Sequence, residues 1–519
     1  MVFKIIFLIV FFAIMIGIGV VTRKKANSVD GFVLGGRNAG PWLTAFGYGT
    51  SYFSAVVFIG YAGQFGWKYG VASTWIGIGN AVIGSLLAWL VLGRRTRVMT
   101  KHLNSKTMPD FFGKRYDSKA LRITAALISF IFLIPYTSSV YNGLSRLFNM
   151  AFNIDYKVCI IVMAALTCVY VILGGYMATV VNDLVQGVIM LFGIVAIIVC
   201  VLNNNGGFMQ SLITLSSTPS DLPVSQGMQG AFTSFFGPDP LNLLGVIVLT
   251  SLGTWGLPQM VGKFYAIKDE KSVKAGTIIS TFFAFIVAGG CYFLGGFARL
   301  YDSPAIYKED GSVLYDSIIP EMLKGLPDIL MGVVIVLVLS ASMSTLSSLV
   351  LTSSSTVTLD LVEQIKPKAN EDKKKKEKTQ LITMRLFLIF FIVVSVLLSL
   401  NPPAFIAQLM GYSWGALAGS FLAPFLWGLY WKKTTKASVW VCFIFGVGFT
   451  VANIFLKFIA SPINAGAVTM LAGLVIVPLV SLITPKLSKE KVDGIFTCYD
   501  ETVTVEKRYS LPENATDEE

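Results

Sequence analysis

Ala45-Phe46-Gly47-Tyr48-Gly49-Thr50-Ser51-Tyr52-Phe53-Ser54-Ala55 lies inside an apolar segment, with Gly60 and Gly63 just beyond it. Glycines permit dihedrals that other residues avoid, so the segment reads as a helix that breaks part-way. A second stretch has the same character: Ser251-Leu252-Gly253-Thr254-Trp255-Gly256-Leu257-Pro258-Gln259, in which Pro258 removes a backbone donor. Helix packing through small residues is the alternative reading of either stretch alone. The pair says more. The two segments lie five apart and each opens a group of five. Corresponding interruptions in two halves point to a midplane binding site between inverted repeats.

The rest of the chain supplies the lipid-spanning frame that such breaks require. Of 519 residues, 54% are hydrophobic and 13% charged, and mean hydropathy is +0.70. A soluble domain carries about 25% charged residues. Thirteen apolar segments recur, near 2–22, 41–66, 72–93, 122–150, 156–175, 183–203, 240–262, 275–299, 327–358, 382–400, 404–430, 437–457 and 464–484. Runs of about 20 apolar residues are long enough to cross a bilayer. The expected class is therefore an all-α polytopic membrane protein. Segment 2–22 has only Lys4 as a basic flank and no small-residue cleavage site, so it reads as a retained helix rather than a signal peptide.

Composition also excludes function classes. No soluble part is large enough to hold a separate enzyme. The single histidine, His102, rules out a histidine-built metal site or triad. Cys159, Cys168, Cys200, Cys291 and Cys442 fall inside apolar runs, Cys498 lies in the tail, and no CxxC spacing exists. That pattern suggests neither a disulfide framework nor a zinc site. The net charge of +12 comes from the connections. One set, 23–40, 94–121, 263–274, 359–381 and 431–436, holds Arg23, Lys24, Lys25, Arg94, Arg95, Arg97, Lys263, Lys268, Lys271, Lys274, Lys373 to Lys376, Lys432 and Lys433. The other face holds few, such as Lys68, Lys157, Lys308 and Lys324. Positive loops face the cytoplasm, which predicts the N-terminus outside, the C-terminus inside and no nucleic-acid partner. The Lys373–Lys376 run reads as a solvated or lipid-facing loop. The tail 485–519, ending Asn514-Ala515-Thr516-Asp517-Glu518-Glu519, reads as polar and disordered.

Two features carry chemistry. Ala341-Ser342-Met343-Ser344-Thr345-Leu346-Ser347-Ser348 packs hydroxyls into an otherwise apolar segment. Lipid offers hydroxyls no water, so the cluster should face protein or a polar cavity. Neutral oxygens in such a place suit a monovalent cation that must also leave. Hydrogen bonding of Ser344 and Thr345 to carbonyls one turn earlier is the alternative, and it accounts for one or two hydroxyls rather than the cluster. Asp183 is an ionisable residue at an uncharged helix start, a functional candidate by default. Its alternative role is to favour the helix dipole.

With these residues in view, the chain resembles the sodium:solute symporter family, which includes proline, pantothenate, sialic acid, glucose, monocarboxylate and iodide carriers. The resemblance rests on Asp30-Gly31-Phe32-Val33-Leu34-Gly35-Gly36-Arg37 with Gly40-Pro41-Trp42. It rests also on Gly174-Gly175-Tyr176-Met177-Ala178 with Asn182-Asp183-Leu184-Val185-Gln186, on the 341–348 cluster, and on Trp414-Gly415-Ala416 through Pro424 to Trp431-Lys432-Lys433-Thr434. It implies a LeuT-like five-plus-five inverted-repeat core in 13 transmembrane helices: 1–22 before the core, halves 41–203 and 240–430, two peripheral helices in 437–484, and a cytoplasmic tail 485–519. It implies sodium-coupled import of a small solute across the plasma membrane, with Na⁺ as the co-transported ion and no organic cofactor.

The resemblance also places residues. A first sodium site falls on Thr50, Phe53, Ala341, Ser344 and Thr345, and a second on Asp183, Ser344, Ser347 and Ser348, which suggests two ions per cycle. Solute contacts are expected from Tyr52, Ser54, Tyr136, Ser138, Ser139, Thr254, Trp255 and Gln259. Tyr52 stands where proline carriers place an aspartate, and their pocket aromatics fall at Val56 and Thr250. The charges that sugar carriers use are missing from 71–92 and 277–298, and no arginine lies beside Tyr136 as in a sialic acid carrier. The run Ser51 to Val56 with Lys68-Tyr69-Gly70 is closer to the pantothenate and monocarboxylate branches, and half-helix N-termini can hold a carboxylate. A small organic acid is therefore the expected cargo, with an amino acid or a sugar as the alternative. Proton coupling and a channel are the remaining alternatives. A channel is expected to show filter rings.

Overall fold

The computed structural model describes residues 2–365 and 372–500. Among these residues no strand forms, and only two isolated bridges occur, Ala39–Ile267 and Tyr307–Val313. Helices satisfy the backbone within each segment, which a bilayer interior demands. The principal helices are α1 (Val2–Thr22), α2 (Pro41–Tyr52), α3 (Ala62–Tyr69), α4 (Lys119–Phe152), α5 (Tyr156–Asn204), α6 (Pro240–Gly256), α7 (Pro258–Tyr265), α8 (Glu270–Gly295), α9 (Tyr315–Leu323), α10 (Asp328–Thr356), α11 (Lys373–Leu400), α12 (Ile406–Tyr430), α13 (Lys436–Leu456), α14 (Pro462–Ile483) and α15 (Lys489–Phe496).

Among the described residues nine helices are long and apolar enough to cross a membrane, or ten if the bent pair α6 and α7 is one span. The difference from thirteen has physical causes. α5 joins two expected segments in 49 residues, about 74 Å if straight at 1.5 Å per residue. A bilayer core is about 30 Å thick. α5 turns at Gly175, where φ is +54° and an added Cβ would lie 2.9 Å from the Phe32 ring. Only glycine fits both conditions. α2, at 12 residues, is too short to cross alone. α12 is diluted by the glycines and serines between Gly411 and Ser420.

Both predicted breaks are present. α2 ends at Phe53 (φ −94°, ψ 91°), and the chain resumes as a π-helical turn, Val56–Tyr61, before α3. α6 ends at Gly256, Leu257 is extended, and Pro258 opens α7 at a bend of 46°. Between them stands α10, in which every residue from Val334 to Leu351 is buried. It packs against α1, α2, α4, α5 and α11, while α12, α13 and α14 pack together beside α6.

Three connections differ from expectation. The Lys373–Lys376 run opens α11, with the Asp372 carboxylate accepting from Lys374 N, instead of forming a loop. Residues 366–371 lie outside the described residues. The tail is ordered through residue 500. α15 is pinned by Lys432–Asp493 (2.9 Å) and Lys491–Asp117 ion pairs, and the Arg95 guanidinium faces both the Tyr430 and Tyr499 rings. The stretch Asn514 to Glu519 lies outside the described residues. Lys263, expected in a connection, belongs to α7 and is 3% exposed.

Candidate functional site

The end of α2 determines the first site. A helix leaves its last carbonyls without intrahelical donors. Phe53 N serves Gly49 O at 3.1 Å, which leaves Thr50 O and Ser51 O in the break. α10 meets them with hydroxyls. Ser344 Oγ lies 3.0 Å from Thr50 O and 3.2 Å from Ala341 O. Thr345 Oγ1 lies 3.3 Å from Thr50 O, 3.3 Å from Ser51 O and 3.1 Å from Ala341 O. Each hydroxyl has one proton to donate and keeps lone pairs for something else. The result is a buried, uncharged cluster of five oxygens from two helices. Ser344 Oγ also lies 2.9 Å from Ser340 O in its own helix, whereas Ser342 donates to Val338 O at 2.6 Å and bonds to no other helix among the described residues. Phe53 is buried at the break itself. Ser51, not among the predicted contributors, supplies a carbonyl.

The residues predicted for the second site divide. Asp183 and Ser348 converge, but on Lys263: its Nζ lies 3.3 Å from Asp183 Oδ2 and 3.0 Å from Ser348 Oγ. Ser344 turns to the first site, and Ser347 donates to Ser344 O at 2.9 Å. Hydropathy places Lys263 just outside its segment, so the sequence shows no sign of this pairing across 80 residues.

The predicted solute contacts also divide. Tyr52 and Tyr136 meet at a residue named only in the family pattern, Trp414, with ring centroids 5.9 and 5.8 Å away. An added Cβ at Gly253 would lie 2.4 Å from the Trp414 ring, so the second glycine-rich stretch makes room for it. The Tyr52 hydroxyl donates to Thr250 O. The Tyr136 hydroxyl and Trp414 Nε1 are buried without a partner among the described residues. Such groups carry an unmet desolvation cost that a bound polar molecule can offset. Ser54 caps the resumed helix through Val56 N (3.1 Å). Thr254 and Trp255 instead bridge to Gly84 O and Ile83 O, at 3.1 and 3.0 Å. Ser138 faces α11 through Ser399 (3.1 Å), and Ser139 donates to Tyr136 O within α4 (2.6 Å). Gln259 lies apart, lining a cavity with Tyr176, Thr179, Lys263, Ser348 and Thr352. No group of three His, Cys, Asp or Glu residues able to hold a metal occurs among the described residues.

A helical core with two interrupted spans around a neutral oxygen cage defines a cation-coupled membrane carrier. Comparison with known proteins agrees. The family model for the sodium:solute symporter family matches residues 32–446, and the chain belongs to that family. The osmoregulated proline transporter OpuE of Bacillus subtilis is 29% identical over 84% of this chain and 86% of its own. The sodium/proline symporter of Staphylococcus aureus is 30% identical over 82% of this chain and 81% of its own. Among solved structures, a Na⁺-coupled sialic acid symporter in a substrate-bound outward-open state covers 94% of this chain and 99% of its own, with TM-score 0.73 and 17% identity. A nucleobase–cation-symport-1 family transporter in a closed conformation covers 91% and 98%, with TM-score 0.54 and 14% identity. These two likenesses bear out the LeuT-like fold. The family is one of sodium-coupled carriers of small solutes, which bears out Na⁺ as the co-transported ion.

Proposed function

We propose that this protein imports proline, or a small amino acid like it, together with sodium. The observation that carries the sodium assignment is the oxygen cluster of Thr50, Ser51, Ala341, Ser344 and Thr345, with Phe53 at the same break. An ion there draws α10 and the end of α2 together. The solute sits beside Tyr52, Tyr136 and Trp414, and Tyr52 directly follows Ser51 of the cage. Broken halves at 41–203 and 240–430 move relative to each other around this point. The first helix (1–22) and the 437–484 pair stay peripheral. Basic connections set the N-terminus outside and the C-terminus in the cytoplasm of a cell whose plasma membrane holds the chain.

The two proline-carrier relatives support an amino acid over the organic acid that the sequence alone suggests. A monocarboxylate is the second reading, favoured by the lack of a carboxylate at Tyr52 to receive an amino group. Uptake into proteoliposomes separates the two. Labelled proline should accumulate under an inward sodium gradient and fail to do so under a proton gradient alone. Accumulation of pyruvate in its place would select the monocarboxylate. Sodium-independent uptake of every solute would refute the coupling.

A further inference from the structure

The ammonium of Lys263 stands where a second sodium ion was expected. It reaches Asp183 Oδ2 at 3.3 Å and Ser348 Oγ at 3.0 Å, and lies 5.5 Å from the centre of the Tyr176 ring. An ammonium has three protons to place. A carboxylate, a hydroxyl and an aromatic face take them, the last as a cation–π contact. Lys263 is 3% exposed and Asp183 is fully buried. The pair is therefore neutral inside the protein. Its α2 side is closed by backbone: an added Cβ at Gly47 would lie 3.3 Å from Asp183 Oδ2 and 3.5 Å from Lys263 Nζ. Of the other two residues expected to ligate a second ion, Ser344 belongs to the first cage through Thr50 O, Ser347 donates to Ser344 O, and among the described residues neither has a bond to Asp183 or Lys263.

We propose that Lys263 is the resident cation of the Asp183–Ser348 site, so that the protein carries one sodium ion per cycle, in the α2–α10 cage alone. The proposal rests on the sodium-symport reading. A tethered ammonium neutralises Asp183 as a sodium ion does, but it cannot leave. A free cation entering beside it meets like charge in a low-dielectric setting. The lysine is also joined to the cage. Ser348 Oγ, which Lys263 touches, lies 2.8 Å from Ser51 Oγ, and Ser51 contributes its carbonyl to the first site. The same ammonium lines the cavity shared with Gln259 and Thr352. Lys263 is thus a positioning residue for the ion that does move.

The test is the number of ²²Na⁺ ions bound per protomer at saturation, measured on the purified full chain in nanodiscs. Wild type should bind one. Lys263→Met frees Asp183 and Ser348 for an ion and should bind two, and Asp183→Asn with Lys263→Met should return the count to one. Two ions in wild type, or one in K263M, would overturn the proposal. No sodium binding in wild type would sink the symport reading as well, which sets that failure apart. If K263M does not fold, the ratio of ²²Na⁺ to labelled proline entering wild-type proteoliposomes decides: one supports the proposal and two refutes it.

Discussion

Thr345→Val removes one oxygen from the cage and leaves the branched shape of the side chain in place. In wild type that oxygen lies within 3.3 Å of three carbonyls, Thr50, Ser51 and Ala341. Without sodium, the hydroxyl donates a single hydrogen bond, worth about 1 kcal/mol net, so the fold should survive its loss. With sodium bound, the same oxygen turns its lone pair to a cation. A polar contact to a charge is worth about 1.5–3 kcal/mol, which corresponds to roughly 10- to 150-fold in affinity. The sodium concentration giving half-maximal uptake of labelled solute should rise by that factor, and the melting shift that sodium produces should shrink. Ser342→Ala is the matched control. Its hydroxyl is on the same helix, three residues earlier, but bonds only Val338 O at 2.6 Å. Equal half-saturation in T345V, S342A and wild type would show that the hydroxyls serve helix packing and that no ion sits there.

Further outcomes follow from single contacts. Asp183→Asn leaves Lys263 charged and buried without its partner, and breaking a buried pair costs about 3–5 kcal/mol; the double variant with Lys263→Met should regain most of the lost melting temperature, and simple addition of the two single losses would contradict the pairing. Tyr136→Phe deletes a buried hydroxyl that has no partner among the described residues, so stability should hold while KM for the solute rises about 2- to 10-fold, as for loss of one hydrogen bond of about 1 ± 0.5 kcal/mol; an unchanged KM would move the solute elsewhere. Asp316, in α9, is buried with one oxygen on Ile406 N at 3.4 Å, and burial raises its pKa to about 6. A raised folded-state value contributes stability below the unfolded value and loses it as pH rises through about 6; melting temperature should therefore fall between pH 4 and 7, and Asp316→Asn should flatten that slope.

What the sequence revealed followed the range of the forces involved. The breaks at Phe53 and Leu257 were readable because glycine and proline act on their own backbone. The hydroxyls of α10 were readable because serine in lipid needs an explanation wherever it points. Lys263 was not. A hydropathy window stops at a charge, so a buried lysine at a segment end looks like the start of a loop, and its partner lies 80 residues away. The ordered tail was hidden for a related reason. An isolated eight-residue helix such as α15 is too short to be stable in water, and it exists through Asp117, Lys432 and the Arg95 clasp of Tyr499. Of the residues expected to touch solute, Tyr52 and Tyr136 both pack against Trp414, whereas Ser138 and Ser139 bond to neighbouring helices or their own, a distinction that side-chain type alone does not reveal.

The Lys263 assignment has a thermodynamic consequence that structure alone would not suggest. One sodium ion moving inward gains about 2.3 kcal/mol per 100 mV of potential and about 1.4 kcal/mol from a tenfold gradient. At about 1.4 kcal/mol per decade, one ion sustains roughly 500-fold accumulation of a neutral solute and two ions roughly 10⁵-fold. A lysine fixed in the second site lowers that ceiling by two to three decades. In exchange, the carrier has fewer ions to gather before it can turn. It also keeps Asp183 neutralised in every conformation in which α7 stays beside α5, because the ammonium travels with the protein. On the proposed reading the mobile ion acts at one place, the carbonyls of Thr50 and Ser51, two residues and one residue before Tyr52, whose ring contacts Trp414. If the ion and the solute bind as proposed, their occupancies would be coupled through the same broken helix. For a neutral solute such as zwitterionic proline, a steady-state accumulation ratio well above a thousand at about 100 mV and a tenfold gradient is incompatible with a single mobile ion.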